Sequence, residues 1–198
     1  VDLTRLNQVL AVDEEKHNAT VQSGINFKSL SAVLASKGFS LGLEPVASPE
    51  VTIGGFIATH GVGYGSMTHG SIFNFVRDLE IVLSDGSIVQ TGLEDVPSYA
   101  TGYDLTRLLI GSEGTLGIIT EATLSIFPKP EMATNIAFTF SDIKVGADIS
   151  REASKNTSTL SSVLTMVGSI MARLKTGSMK LPHKGLLGLH RLEGTKEA

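Results

Sequence analysis

The 198-residue sequence contains no cysteine and no tryptophan. Without a thiol, the chain forms no disulfide scaffold, no iron–sulfur ligation and no thiolate zinc site. The same absence fits a reducing compartment, so a cytoplasmic location is expected. Positive charge is not in excess: 16 Lys and Arg stand against 20 Asp and Glu, for a formal net charge of −4. The cations are scattered, not gathered in a stripe, so no nucleic-acid partner is expected. No apolar run is long enough to span a bilayer, and no signal peptide is legible. A Walker A loop, a His-Glu-x-x-His helix and a nucleophile elbow are all missing. Gly61, Gly63 and Ser66 approach the Rossmann fingerprint, but the third glycine and the distant acidic ribose partner are lacking. The five histidines (His17, His60, His69, His183 and His190) are dispersed, and no metal site is expected.

What is present suffices for a core, since 41% of residues are apolar. Val9–Asp13 and 19–23 read as a hairpin. Asn26 can cap a helix carrying Phe27, Leu30, Val33 and Leu34, which Lys37 and Gly38 close. A second hairpin turns at Asp85-Gly86. Asp104 can cap a short helix with Leu105, Leu108 and Leu109, and pair with Arg107. Ala122, Leu124 and Ile126 then alternate at the strand period until Pro128 and Pro130. Beyond, "NIAFTFSD" reads as a strand and "SDIKVGADISREASK" as a helix. Leu160, Val163, Leu164, Val167, Ile170, Met171 and Leu174 fall on one helical stripe, which predicts a second helix. "LLGLHRLEGTKEA" opens as a strand. Residues 1–130 and 131–198 therefore read as two units. The chain starts at Val1, and its second unit reads as unfinished, so a segment of a longer protein is expected.

Two glycine-dense segments remain. Gly54, Gly55, Gly61, Gly63 and Gly65 form the first, and Gly111, Gly114 and Gly117 the second. Glycine supplies positive φ, or lets backbone approach a neighbour closely. Tight turns and close packing account for either segment alone. Together they also suit a large planar ligand, with backbone N–H groups set toward anionic or carbonyl-rich parts.

Read together, "PVASPEVTIGGFIATHGVGYGSMTHG" and "TGYDLTRLLIGSEGTLGIITEATLSIFPKP" resemble the flavin-binding domain of the vanillyl-alcohol-oxidase superfamily. The nearest branch is that of the flavin-carrying component of glycolate oxidase, D-lactate dehydrogenase and related FAD-linked enzymes. The resemblance implies an α+β fold. Its mixed or antiparallel sheet, flanked by helices, would be the second FAD subdomain (1–130), with the first subdomain missing and the start of an α+β cap over 131–198. It implies FAD, with cofactor contacts at Pro45, Thr52, Gly54, Gly55, Thr59, Gly61, Gly63, Gly114, Gly117, Ile118 and Ile119. On that reading, backbone from Gly117 to Ile119 lies against the adenine half, where a side chain would clash. Thr52 to Thr59 lie along the flavin and pyrophosphate, with the two threonine hydroxyls donating and the Gly54 and Gly55 amides facing phosphate.

The resemblance further implies oxidation of a 2-hydroxyacid such as glycolate or D-lactate by hydride transfer to flavin N5, with the electron acceptor left open. A synthase-like branch acting on alkyl-dihydroxyacetonephosphate, an aldonolactone-oxidase-like branch and a non-catalytic module are the alternatives. His60 is the candidate catalytic base, against a plain hydrogen-bonded loop histidine. It replaces the Asn usual in glycolate-oxidase relatives, while aldonolactone oxidases carry a Thr-His-Gly phrase. His69 and Tyr64 are weaker candidates near the ring. On the cap side, His183, His190 and Arg191 are visible and match no motif.

Overall fold

The computed structural model describes residues 1–92, 102–140, 142–156, 160–166 and 186–194. In chain order the first elements are β1 (Val9–Asp13), β2 (Asn18–Gln22), α1 (Phe27–Ser36), β3 (Phe39–Ser40), β4 (Glu44–Pro45) and α2 (Ile53–Ala58). Then come β5 (Gly63–Tyr64), α3 (Ser66–His69), a 3₁₀ turn (Ile72–Asn74), β6 (Val76–Val82), β7 (Ile88–Gln90), α4 (Leu105–Leu109), β8 (Ile118–Ser125) and β9 (Phe127–Pro128). β10 (Met132–Phe140), α5 (Ile143–Asn156), β11 (Leu160–Met166) and β12 (Leu186–Gly194) follow. The chain divides into two compact units, Val1–Lys129 and Pro130–Ala198.

The first unit is built on a five-stranded sheet in the order β1-β2-β8-β6-β7. Every neighbouring pair runs antiparallel. Alternation decides its faces. Ala19, Val21, Leu79, Ile81, Ala122 and Leu124 are buried, while Thr20, Gln22, Glu80, Glu121 and Thr123 stay half-exposed. The buried face joins Phe27, Leu30 and Leu34 of α1 and Ile53 and Ile57 of α2 in one core. The sequence signals that place these elements work as expected. Asn26 Oδ1 accepts from Ser29 N at 2.8 Å, capping α1. Asp104 Oδ1 accepts from Arg107 N at 2.9 Å, capping α4, and Asp104 pairs with the Arg107 guanidinium at 3.6 Å. Gly86 turns the β6–β7 hairpin at φ +87.

The second unit is a three-stranded antiparallel sheet in the order β10-β12-β11, with α5 packed on all three strands. Here one expectation fails. Leu160–Met166 is a strand, not the start of a helix, and pairs along its length with β12, from Leu160↔Leu192 to Met166↔Leu186. Apolar residues at 160, 163 and 164 fit a helical stripe and a sheet register alike, and pairing with the distant β12 decides between them. The rest of that stripe, Val167, Ile170, Met171 and Leu174, lies outside the described residues, as does His183. His190 and Arg191 lie in β12, in register with Ile136 and Asn135 of β10.

Candidate cofactor groove

The first glycine segment opens as α2, with Gly54 and Gly55 in its first turn, and runs on past the helix to Gly61, Gly63 and Gly65. Thr52 starts it: its Oγ1 accepts from Gly55 N at 3.3 Å. Ile53 N donates to Ile25 O at 2.8 Å, and Gly54 N to Ser23 O at 2.7 Å. The Gly54 and Gly55 amides are thus engaged by the protein and do not face a phosphate. Gly54 is glycine for packing, because a Cβ there would stand 2.6 Å from the Ser23 Cβ. At the far end, Thr59 Oγ1 donates to Gly55 O at 2.9 Å, so its hydrogen serves the helix. His60 turns the chain out at φ +51, and Gly61 N donates to Phe56 O at 2.8 Å.

The second segment is joined to the first. Gly111 N donates to Ile57 O at 3.1 Å and Glu113 N to Ala58 O at 3.0 Å, so the loop satisfies the last carbonyls of α2. Left-handed backbone carries the loop, at φ +82 for Gly111, +50 for Glu113 and +78 for Gly114. A Cβ on Gly114 would meet nothing within 4 Å, so conformation alone calls for glycine there. Gly117 differs: its Cβ would lie 3.1 Å from the Val82 carbonyl, against β6. Gly117 thus packs on β6 while also lining the groove, so a side chain there would first press on Val82.

Between the two segments runs a groove of about 540 Å³, within the range of small-molecule sites. One wall is Thr52, Gly54, Gly55 and Ala58, and the other is Glu113, Gly114, Gly117, Ile118 and Ile119. Ser23, Gly24 and the segment Val1 to Thr4 complete it. Seven residues expected at a cofactor thus come together: Thr52, Gly54, Gly55, Gly114, Gly117, Ile118 and Ile119. Its described side chains carry two carboxylates, Asp2 and Glu113, and no Lys, Arg or His. The Thr4 amide and hydroxyl both donate to Asp2, holding its carboxyl below the usual range and keeping it ionised.

Four expected contacts and the expected base stand outside this lining. Pro45 and Gly63 pair as β4 and β5, and a Cβ on Gly63 would collide with the Glu44 carbonyl. On Gly61 it would strike the Phe56 ring. Thr59 belongs to the end of α2, as described. The imidazole of His60 stacks on Phe73 with centroids 5.4 Å apart, and its Nε2 lies 2.9 Å from Ser71 Oγ. Arg107 covers the same phenyl ring at 4.3 Å. His69 sits in an aromatic cluster, 4.5 Å from Phe127 and 6.2 Å from Phe75. Tyr64 is half-buried in the β4–β5 pair. Among the described residues, no three His, Asp or Glu side chains gather as a metal site. No described helix is long and apolar enough to cross a membrane.

Sequence reasoning missed Ser23 and Glu113. Glu113 stands inside the "GSEGTLG" phrase, where the glycines are the louder signal. Ser23 carries no signal in sequence.

This donor set fits the uncharged parts of a dinucleotide. Bare backbone at Gly55 and Gly114 and the faces of Ile118 and Ile119 admit a flat, uncharged moiety, while the carboxylates disfavour a diphosphate against this wall. An antiparallel sheet with helices on its core face, opened beside two glycine segments, is the architecture of a flavin-binding α+β domain. Residues 1–92 match the family model described as FAD binding domain. The glycolate oxidase subunit GlcD of Bacillus subtilis is 39% identical over 142 residues, 72% of this chain and 30% of that protein. The D-lactate dehydrogenase of Anaerostipes hadrus is 33% identical over 144 residues, 73% of this chain and 30% of that one. A solved alkyldihydroxyacetonephosphate synthase matches 99% of this chain and 39% of its own, with TM-score 0.77 and 25% identity. The chain belongs to the FAD-binding domain family of the vanillyl-alcohol-oxidase superfamily, and its cofactor is FAD. It spans under a third of the length of the two curated relatives.

Proposed function

We propose that this chain is the FAD-holding part of an oxidoreductase acting on a small 2-hydroxyacid such as glycolate or D-lactate. The observation that carries the reading is the single groove in which seven of the expected cofactor residues converge. Relatives named as glycolate oxidase and D-lactate dehydrogenase support the substrate class. When bound, FAD supplies the hydride acceptor for the oxidation.

Thr52 has a hydroxyl hydrogen left to donate, since its oxygen caps α2 as an acceptor. Ile118 and Ile119 give the adenosine half an apolar seat. Asp2 and Glu113 keep the diphosphate off this wall. Hydrogen bonds from Gly111 and Glu113 to α2 hold the walls at fixed separation, which orients the ligand in advance. His60, engaged by Phe73 and Ser71, acts by positioning the exit of α2. The second unit opens the substrate domain.

The test is spectroscopic. The protein at its natural length, purified or reconstituted with FAD, shows a flavin absorption that D-lactate or glycolate bleaches under anaerobic conditions. Colourless protein that cannot be reconstituted overturns the flavin reading. A coloured protein that no 2-hydroxyacid bleaches favours the second reading, a non-redox synthase, which the whole-chain likeness to alkyldihydroxyacetonephosphate synthase supports.

A further inference from the structure

We infer that Asp78 is a positioning residue for the second glycine segment, acting on its loop through Thr91, Thr106 and α4. Its bearing on the cofactor rests on the reading that the groove holds FAD. Asp78 stands outside the groove lining. It follows an irregularity in the β6–β8 register, between Val76 and Asp78, the kind of step that re-aims a side chain. Four donors converge on its carboxylate. Oδ1 accepts from the Leu79 amide at 2.7 Å, from Thr91 Oγ1 at 3.2 Å and from the Gly92 amide. Oδ2 accepts from Gln90 Nε2 at 3.0 Å. A Cβ on Gly92 would stand 2.7 Å from the Asp78 carboxyl carbon, so the chain after β7 closes directly onto this group.

The bonds that lead away from Asp78 have a direction. A carboxylate only accepts, so Thr91 spends its single hydroxyl hydrogen on Asp78. Thr91 Oγ1 lies 2.7 Å from Thr106 Oγ1, and both residues are buried. That second bond is therefore donated by Thr106, from the first turn of α4. Without the carboxylate, nothing fixes which way the buried pair points. Thr106 is separated from Gly111 only by the rest of this short helix and Ile110. Gly111 and Glu113 are the residues whose amides close on Ile57 and Ala58 of α2. What ties α4 to β6 thus sets where that loop stands, and with it one wall of the groove.

The test uses the protein at its natural length and reads backbone amides by hydrogen exchange without ligand, then FAD affinity by titration. Asp78→Ala should speed exchange at Gly111 and Glu113 about tenfold, the worth of one hydrogen bond to a charged group. The Ser23 and Gly54 amides, which bond at the start of α2, should be unchanged. FAD affinity should weaken by a similar factor. Asp78→Asn keeps an acceptor oxygen in the same place and should restore most of both. Thr106→Val cuts the link at the helix, keeps the carboxylate and should reproduce the selective change, and it serves if Asp78→Ala fails to fold. Thr106→Ser should reverse it. Exchange that rises equally at Ser23, Gly54, Gly111 and Glu113 overturns the proposal, because Asp78 then only stabilises the fold. Unchanged exchange at Gly111 and Glu113 overturns it too. Selective exchange with FAD affinity unaltered overturns the bearing on the cofactor. If the unaltered protein binds no FAD, the flavin reading falls, while the exchange result still decides for or against Asp78.

Discussion

Within the two glycine segments that meet at the groove, the same residue serves opposite purposes, with Gly117 packing on β6. In the first, Gly54, Gly61 and Gly63 lack side chains because other protein atoms occupy the space: Ser23, the Phe56 ring and the Glu44 carbonyl. In the second, Gly114 has open space around it and is glycine because its backbone is left-handed. Packing glycines bring elements together, whereas conformational glycines let a loop turn beside a ligand. A dense glycine phrase is therefore not by itself a list of ligand contacts. Gly54 and Gly117 line the groove although their missing side chains are accounted for by packing.

The sharpest way to break this contrast is substitution by alanine. Gly54→Ala should have the largest effect, because neither Ser23 nor α2 can withdraw. A destabilisation of about 1–3 kcal/mol is expected, as for other overpacked sites, read by chemical denaturation with FAD binding weakened in parallel. Gly114→Ala meets no atoms and should show only left-handed strain, roughly 1–2 kcal/mol. If Gly114→Ala proves the more damaging of the two, the division between packing and conformational glycines is wrong. Thr52→Ala removes the α2 cap and should cost about 1 kcal/mol, with Thr52→Ser restoring most of it. A smaller effect comes from a site outside both segments. Glu121 and Glu80 face each other across β8 and β6, and burial, with Glu80 second, raises the Glu121 carboxyl above its ordinary 4.5. The penalty is absent below that pH and grows as pH rises through the folded-state value. Glu121→Gln should therefore stabilise the protein at neutral pH by a few tenths of a kcal/mol, about the size of a cross-strand charge pair, and not at pH 4.

Sequence made some of this architecture legible and hid the rest for physical reasons. Asn26 and Asp104 announced their helices because capping is local chemistry, and Ala122, Leu124 and Ile126 announced β8 because one face of the sheet is buried. Helix α2 was invisible as a helix. Its two glycines argue against one, and the bonds that hold it, from Gly54 to Ser23 and from Gly111 to Ile57, come from distant parts of the chain. The strand at Leu160–Met166 was misread because its partner lies at Leu186–Gly194, beyond any local window. For the groove, the glycine phrases named most of its walls. They could not name Ser23, which carries no local signal, nor separate Gly61 and Gly63 from the lining.

The pair of amide-to-carbonyl links from Gly111 and Glu113 to the end of α2 has a consequence for anyone who would re-engineer this domain. The jaws of the binding cleft are one mechanical part. Transplanting either phrase alone into another scaffold would leave a helix end with dangling acceptors and a turn with nothing to lean on. Swaps between flavoproteins should therefore move both stretches, separated by some fifty residues of chain, as a single cassette.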